Sequence, residues 1–190
     1  MQRPDDQKRL EILKVAADLF AARPFHEVRL EDVAAAAHIG KGTIYTYFHS
    51  KEELYLFIVH EGLIRLLDEL GQGTVTSDSP APAALRETVR AITAFALRHP
   101  ELARLMRSGQ MPPVTPEHEA RRGDLLQAIA GILRRGTERG ELADARPEWT
   151  AQLIMGAIGE IFVFAAGPLD PEQLADHIVD VVLRGLLPRA

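Results

Sequence analysis

The sequence contains no cysteine. That absence excludes disulfides, thiolate nucleophiles and cysteine-ligated metals together. Long apolar runs are missing too: none approaches the ~20 residues needed to span a bilayer. The N-terminal MQRPDDQKRL is too polar for a secretory leader. These gaps predict a cytoplasmic protein without a membrane segment. Aromatics are sparse, with one Trp, three Tyr and seven Phe. Positive charge is in deficit, 22 Lys+Arg against 27 Asp+Glu, a net charge of −5. Such a balance argues against indiscriminate coating of nucleic acid, but not against a local basic footprint. Lysine occurs only at Lys8, Lys14, Lys41 and Lys51; the rest of the chain uses arginine. No alternating strand pattern, internal repeat or low-complexity tract occurs.

What is present reads almost entirely as helix. Ile12, Val15, Ala16, Leu19 and Phe20 recur at three- and four-residue steps, an apolar stripe ended by Pro24. A short helix over Leu30 to Ala37, the turn His38-Ile39-Gly40 and a third helix from Lys41 to Phe48 follow. Ser50-Lys51-Glu52-Glu53 has the form of a capping box and starts a long helix that stops near Gly71. GQGTVTSDSPAPA (71–83) is a linker by composition. Further helices are expected over Pro82 to Arg98, after His99-Pro100, from Pro116 to about Gly140, from Pro147 to Ala166, and from Pro171 onward. The expected fold is all-α with about nine helices. A division into a helix-turn-helix domain (1–50) and a second helical domain (51–190) is expected.

One stretch stands out. KGTIYTYFHSK (41–51) holds three aromatics, two lysines, a histidine and no acid. At about 100° per residue, Ile44 and Phe48 share the inward face of its helix. Gly42, Thr43 and Thr46 lie opposite, and Tyr45 and Tyr47 stand to either side. Two short helices joined by a three-residue turn form the helix-turn-helix pattern. Against a duplex, the small face suits a major-groove floor, where a threonine offers a hydroxyl or a methyl to bases. The phenols, with Lys41 and Lys51 bracketing the unit, suit the phosphates on the rims. Other chemistry finds no support. IGKGT fails as a phosphate loop, because Ala35 and Gly42 stand where Gly and Ser or Thr are required. His118-Glu119 lacks the second histidine of HExxH, and GxSxG is absent. No enzyme, metal or cofactor is expected.

Residues 9–58 resemble the DNA-binding domain of TetR-family (tetracycline-repressor-like) transcriptional regulators. The matching stretches are ILKVAADLFAARPFHEV, LEDVAAAAHIGKGTIYTYFHSKEEL and the helix that follows. The resemblance implies a homodimer whose third helices enter successive major grooves of a palindromic operator in double-stranded DNA. It further implies a repressor whose C-terminal domain binds a small effector that changes the spacing of the DNA-binding heads. Carried over by position, Lys41, Gly42, Thr43, Tyr45, Tyr47 and Lys51 match the usual DNA-contacting sites. Three positions depart from the pattern. His38 replaces the glycine that usually begins the turn, and histidine tolerates the left-handed conformation better than most residues. Arg29 replaces a capping threonine; it cannot cap, but it binds phosphate well. Thr46 stands where a basic residue is common.

The second domain is rich in apolar residues. AQLIMGAIGEIFVFAA (151–166) is hydrophobic nearly all round, so both faces need cover. Gly156 and Gly159 permit close helix approach. With the stripe Leu174, Ile178, Val181, Val182, Gly185 and Leu186 of the last helix, they form the expected four-helix dimer interface. Phe95, Leu102, Met106, Met111, Leu126, Ile129, Leu133, Trp149, Leu153 and Phe162 are the candidate lining of a pocket for a small, largely apolar effector; ordinary core is the competing reading for each. Two rival functions stay open: a constitutive DNA-binding regulator without ligand, and a helical carrier or enzyme.

Overall fold

A computed structural model of the chain describes residues 4–73, 78–107, 116–164 and 167–186. Among the described residues there are nine α-helices, one 3-10 turn and no strand. They are α1 (Pro4–Ala22), the 3-10 turn (Phe25–Glu27), α2 (Leu30–Ala36), α3 (Lys41–Tyr47) and α4 (Lys51–Gly71). Then come α5 (Ala81–Arg98), α6 (Pro100–Arg107), α7 (Pro116–Glu138), α8 (Pro147–Phe164) and α9 (Pro171–Leu186). Five helices open on proline, whose fixed φ suits the first turn and whose missing N–H would have had no helical partner there.

Two compact units divide the chain. The first runs to Gly62 and also takes in α6; the second joins Leu63–His99 to the segment after residue 119. The expected boundary at residue 50 therefore falls inside the first unit, which keeps the N-terminal half of α4. Within that unit α1 packs on α2 and α6, and α2 on α3. Its core includes Ile12, Ala16, Phe20, Val28, Val33, Ile44, Phe48 and Leu54. Phe20, Phe25 and Tyr55 form a ring cluster with centroids 5.2–5.7 Å apart. The buried Tyr55 hydroxyl donates to the Leu105 carbonyl at 2.7 Å, tying α4 to α6.

In the second unit α9 lies against α5 and also touches α8. Ala84, Leu85, Val89 and Ile92 of α5 are buried, as are Leu174, Ile178, Val179 and Val182 of α9. At the surface Arg86 bridges Asp176 and Asp180, each at 2.6 Å. α7 approaches the start of α5 closely at Gly136, where a Cβ would fall 2.5 Å from that of Ala81.

Candidate nucleic-acid interface

The α2–α3 turn shows how this sequence builds the motif without the usual glycine. His38 adopts φ 54°, the left-handed region. The Ile39 N–H reaches back to the Ala34 carbonyl at 2.9 Å, and that of His38 to Ala35 at 3.1 Å. This pair of bonds is a Schellman termination. α7 ends the same way around Gly140, φ 71°. A histidine therefore does at one helix end what glycine does at the other, at a conformational cost glycine would not carry.

At the start of α2, the Arg29 N–H donates to Asp32 Oδ2 at 3.0 Å. Arginine has no acceptor, so only the acidic half of a reciprocal cap forms, and the Arg29 residue is exposed. α3 then presents its faces as the 100° step predicts. Ile44 and Phe48 are 0% exposed. Gly42, Tyr45 and Thr46 are exposed, with Thr43 and Tyr47 half-buried. The Thr46 hydroxyl donates to the Thr43 carbonyl at 2.7 Å. Its proton is thereby committed, leaving an oxygen acceptor and a methyl group as what Thr46 offers a base. The cap of α4 keeps the expected form and extends it. Ser50 Oγ accepts from the Glu53 N–H at 3.0 Å, and the Glu53 carboxylate accepts from the His49 N–H at 2.7 Å, with a smaller contribution from the Ser50 backbone N–H.

Two cations differ from expectation. Lys51 turns inward: its Nζ donates to the carbonyls of Phe25 (2.9 Å), Val28 (3.1 Å) and His26 (3.4 Å). The same ammonium lies 4.5 Å from the centroid of the Phe25 ring. It acts here as a clamp on the 25–28 segment, not as an outward phosphate contact. Lys41 is exposed, yet its Nζ lies 2.8 Å from Glu31 Oε1. The Tyr45 hydroxyl donates to the same oxygen at 3.2 Å.

The hydrogen bond from Lys41, joined by smaller effects that include the bond from Tyr45, holds the Glu31 carboxyl down at about 2. Lys41 is raised in turn by Glu31. A lowered carboxyl pKa supports the fold above its ordinary value of 4.5 and ceases to as pH falls from there towards 2. At neutral pH the pair is fully charged. Sequence reading missed Glu31; the available signal was an acid in the first turn of α2, ten residues before Lys41.

Residues 12–57 match the bacterial regulatory proteins of the tetR family, and residues 78–186 match the tetracyclin repressor-like C-terminal domain. The chain belongs to the TetR family. The HTH-type transcriptional repressor KstR2 of Mycolicibacterium smegmatis is 24% identical over 188 residues, covering 94% of this chain and 90% of that one. A tetR-family regulatory protein from Rhodococcus RHA1 superposes with TM-score 0.86 at 22% identity, over 96% of this chain and 98% of that one. AibR, solved with isovaleryl coenzyme A and operator DNA, superposes with TM-score 0.77 at 19% identity, over 93% and 98%. No helix among the described residues of this TetR-family regulator is long and apolar enough to cross a membrane.

This TetR-family chain keeps an apolar stripe in solvent along α8. Trp149, Leu153 and Phe164 are 64, 62 and 73% exposed, and Val181 of α9 is 57% exposed. Gly156 is exposed on the same α8 face, with Gly159 half-buried beside it. In the single chain the expected interface set divides. Leu174, Ile178 and Val182 are buried within the chain, because α9 presents them to its own neighbours, while Gly185 is exposed and Leu186 half-buried. The candidate pocket set separates as well. Phe95, Ile129 and Leu133 are buried in the second unit, and Leu126 and Phe162 are half-buried. Leu102 is buried in α6, which belongs to the first unit. Trp149 and Leu153 belong to the exposed stripe. Met111 and the side chain of Met106 lie outside the described residues. Arg134 pairs with Glu148 at 2.5 Å.

Substituting the two lysines separates their roles. Lys51→Met removes charged hydrogen bonds and leaves carbonyls poorly satisfied, at a cost of about 2 kcal/mol. A chain of this size then loses roughly 4–8 °C in Tm. Lys41→Ala, at an exposed ion pair, leaves Tm within about 2 °C and lowers the slope of log K against log salt on operator by about two, one for each protomer of a bound dimer. A flattened slope with unchanged Tm for Lys51→Met would return Lys51 to the phosphates.

Proposed function

We propose that this protein is a cytoplasmic, homodimeric transcriptional repressor that inserts α3 of each protomer into successive major grooves of a palindromic operator. The observation that carries this reading is the outward surface of α3. Gly42, Thr43 and Thr46 form a small patch, with Lys41, Tyr45 and Tyr47 around it, on a helix seated by the buried Ile44 and Phe48. Gly42 has nothing within 4 Å of where a Cβ would stand, so the backbone can approach a groove floor closely. Arg29 adds a cation at the start of α2. Thr43 and Thr46 read bases; Lys41, Tyr45 and Tyr47 hold phosphates.

Dimerisation uses the α8 stripe with Val181 and Gly185. An apolar surface of this kind in solvent calls for a partner, and a two-fold axis doubles it. The effector is a small, largely apolar molecule. AibR with isovaleryl coenzyme A supports, as a first class to test beside a wholly apolar molecule, a short apolar acyl group carried on the large, anionic coenzyme A. α4 is covalently continuous through both units, so displacement of its C-terminal half would reach the α3 heads and move them off the roughly 34–36 Å groove repeat.

Selection of bound duplexes from a random pool by the purified protein tests the proposal. A palindrome with half-sites about one helical turn apart is expected. Recovery of no consensus sequence would overturn it. Operator release by short acyl-coenzyme A thioesters then separates an effector-responsive repressor from a constitutive one.

A further inference from the structure

The donors best placed for phosphate on α3 are already engaged. Lys41 and Tyr45, one helical turn apart, both address a single oxygen of Glu31, at 2.8 and 3.2 Å. That oxygen has the properties of a backbone phosphate oxygen: anionic, presented to an ammonium and a hydroxyl, and reached from solvent, since the Glu31 side chain is 38% exposed. The α2 framework fixes it, because Glu31 sits in the first turn of that helix beside Asp32, which accepts from the Arg29 N–H. Glu31 is therefore more than a surface acid.

Resting on the DNA-binding reading above, we propose that Glu31 is an internal stand-in for a DNA phosphate. It occupies Lys41 and Tyr45 in the free protein and disfavours non-cognate duplex. The reasoning follows from what each complex can supply. On a cognate site, base contacts from Thr43 and Thr46 bring α3 into full register, and Lys41 and Tyr45 exchange Glu31 for phosphate. On a non-cognate duplex, the loosely held complex has only charge to offer. There Lys41 stays with Glu31 as a neutral pair and neutralises no phosphate. Glu31 is thus a specificity-determining residue that need not contact DNA.

The test compares wild type, Glu31→Gln, Lys41→Gln and the double variant. Each is titrated over a salt series against the duplex recovered by selection and against a scrambled duplex of the same length. For Glu31→Gln, affinity for the scrambled duplex rises about three- to tenfold and its salt slope steepens by about 1.8, roughly 0.9 for each protomer of the dimer. The operator slope stays where it was, and the specificity ratio falls. The double variant loses the gain, because it acts through Lys41. Parallel weakening on both duplexes would overturn the proposal and make Glu31 a support for α3. Unchanged binding to the scrambled duplex would also overturn it. Thermal unfolding monitors folding, and Glu31→Ser, too short to span to Lys41, repeats the test should Glu31→Gln be unstable. Wild type that fails to distinguish the two duplexes would instead remove the DNA-binding reading itself.

Discussion

Leu153→Asp is expected to convert the protein to a monomer and to lower operator affinity by about a hundredfold or more. The side chain is 62% exposed in the single chain, so a carboxylate there costs the fold little. In a two-fold dimer the same position is used twice, and each copy would bury an unpaired charge beside Trp149, Gly156 and Phe164. The two heads would then bind half-sites independently, forfeiting an effective-concentration advantage of roughly 10²–10⁴. Sedimentation velocity reads the assembly and a gel-shift titration the affinity. A Leu153→Asp protein that remains dimeric with intact binding would place the interface elsewhere. Val182→Asp is the informative contrast. Val182 is buried within the chain, so its substitution should appear as lost thermal stability before any change in assembly.

Phe48→Ala is expected to cost about 3–5 kcal/mol and to abolish operator binding without removing any group that touches DNA. Phe48 follows α3 in an extended conformation, φ −141° and ψ 126°, and is 0% exposed. Its ring meets that of Phe57 edge-on at 5.9 Å, and the Arg9 guanidinium lies 5.7 Å from its centroid and 4.2 Å from that of Phe57. This stack joins α1, the end of α3 and α4. Truncation opens a cavity beneath the recognition helix, so the threonine face loses its fixed aim. Phe48→Leu, which keeps most of the volume, should recover most of the stability and binding. If Phe48→Ala unfolds normally yet binds operator as wild type does, α3 is seated by something other than this stack.

Helices were the legible part of this sequence, for local reasons. Proline at the starts of α6, α7, α8 and α9, Gly140 at one end and Ser50 before α4 are signals carried within a few residues, and each marks a boundary the structure keeps. The facing of α3 was legible because seven residues at 100° steps allow one assignment once Ile44 and Phe48 are inward. Contacts that depend on the finished fold were not. The three carbonyls that receive Lys51 converge only after the 25–28 segment has turned, 23 to 26 residues away in sequence. Glu31 and Lys41 meet only because the His38 turn sets α2 and α3 at a particular angle. Along α8, apolar residues on every side left no direction to read. For Trp149 and Leu153 the readings were therefore a pocket wall or ordinary core, and the structure leaves both in solvent instead. The stripe of α9 posed a related ambiguity, since Leu174, Ile178 and Val182 would serve a partner or α5 equally well until α5 was placed.

The seat of Lys51 has a chemical corollary. Acylating reagents need an amine with its lone pair free, and the chain offers lysines only at 8, 14, 41 and 51, all ahead of the second unit. Lys51, half-buried with its Nζ turned onto three carbonyls, is the least accessible and should react slowest of the four. Lys41, held protonated by Glu31, should be intermediate, and the exposed Lys8 and Lys14 fastest. Brief acetylation followed by peptide mapping would therefore tag the operator-facing unit alone. Sparing of Lys41 on addition of duplex would give a footprint of the interface from one reagent and one digest.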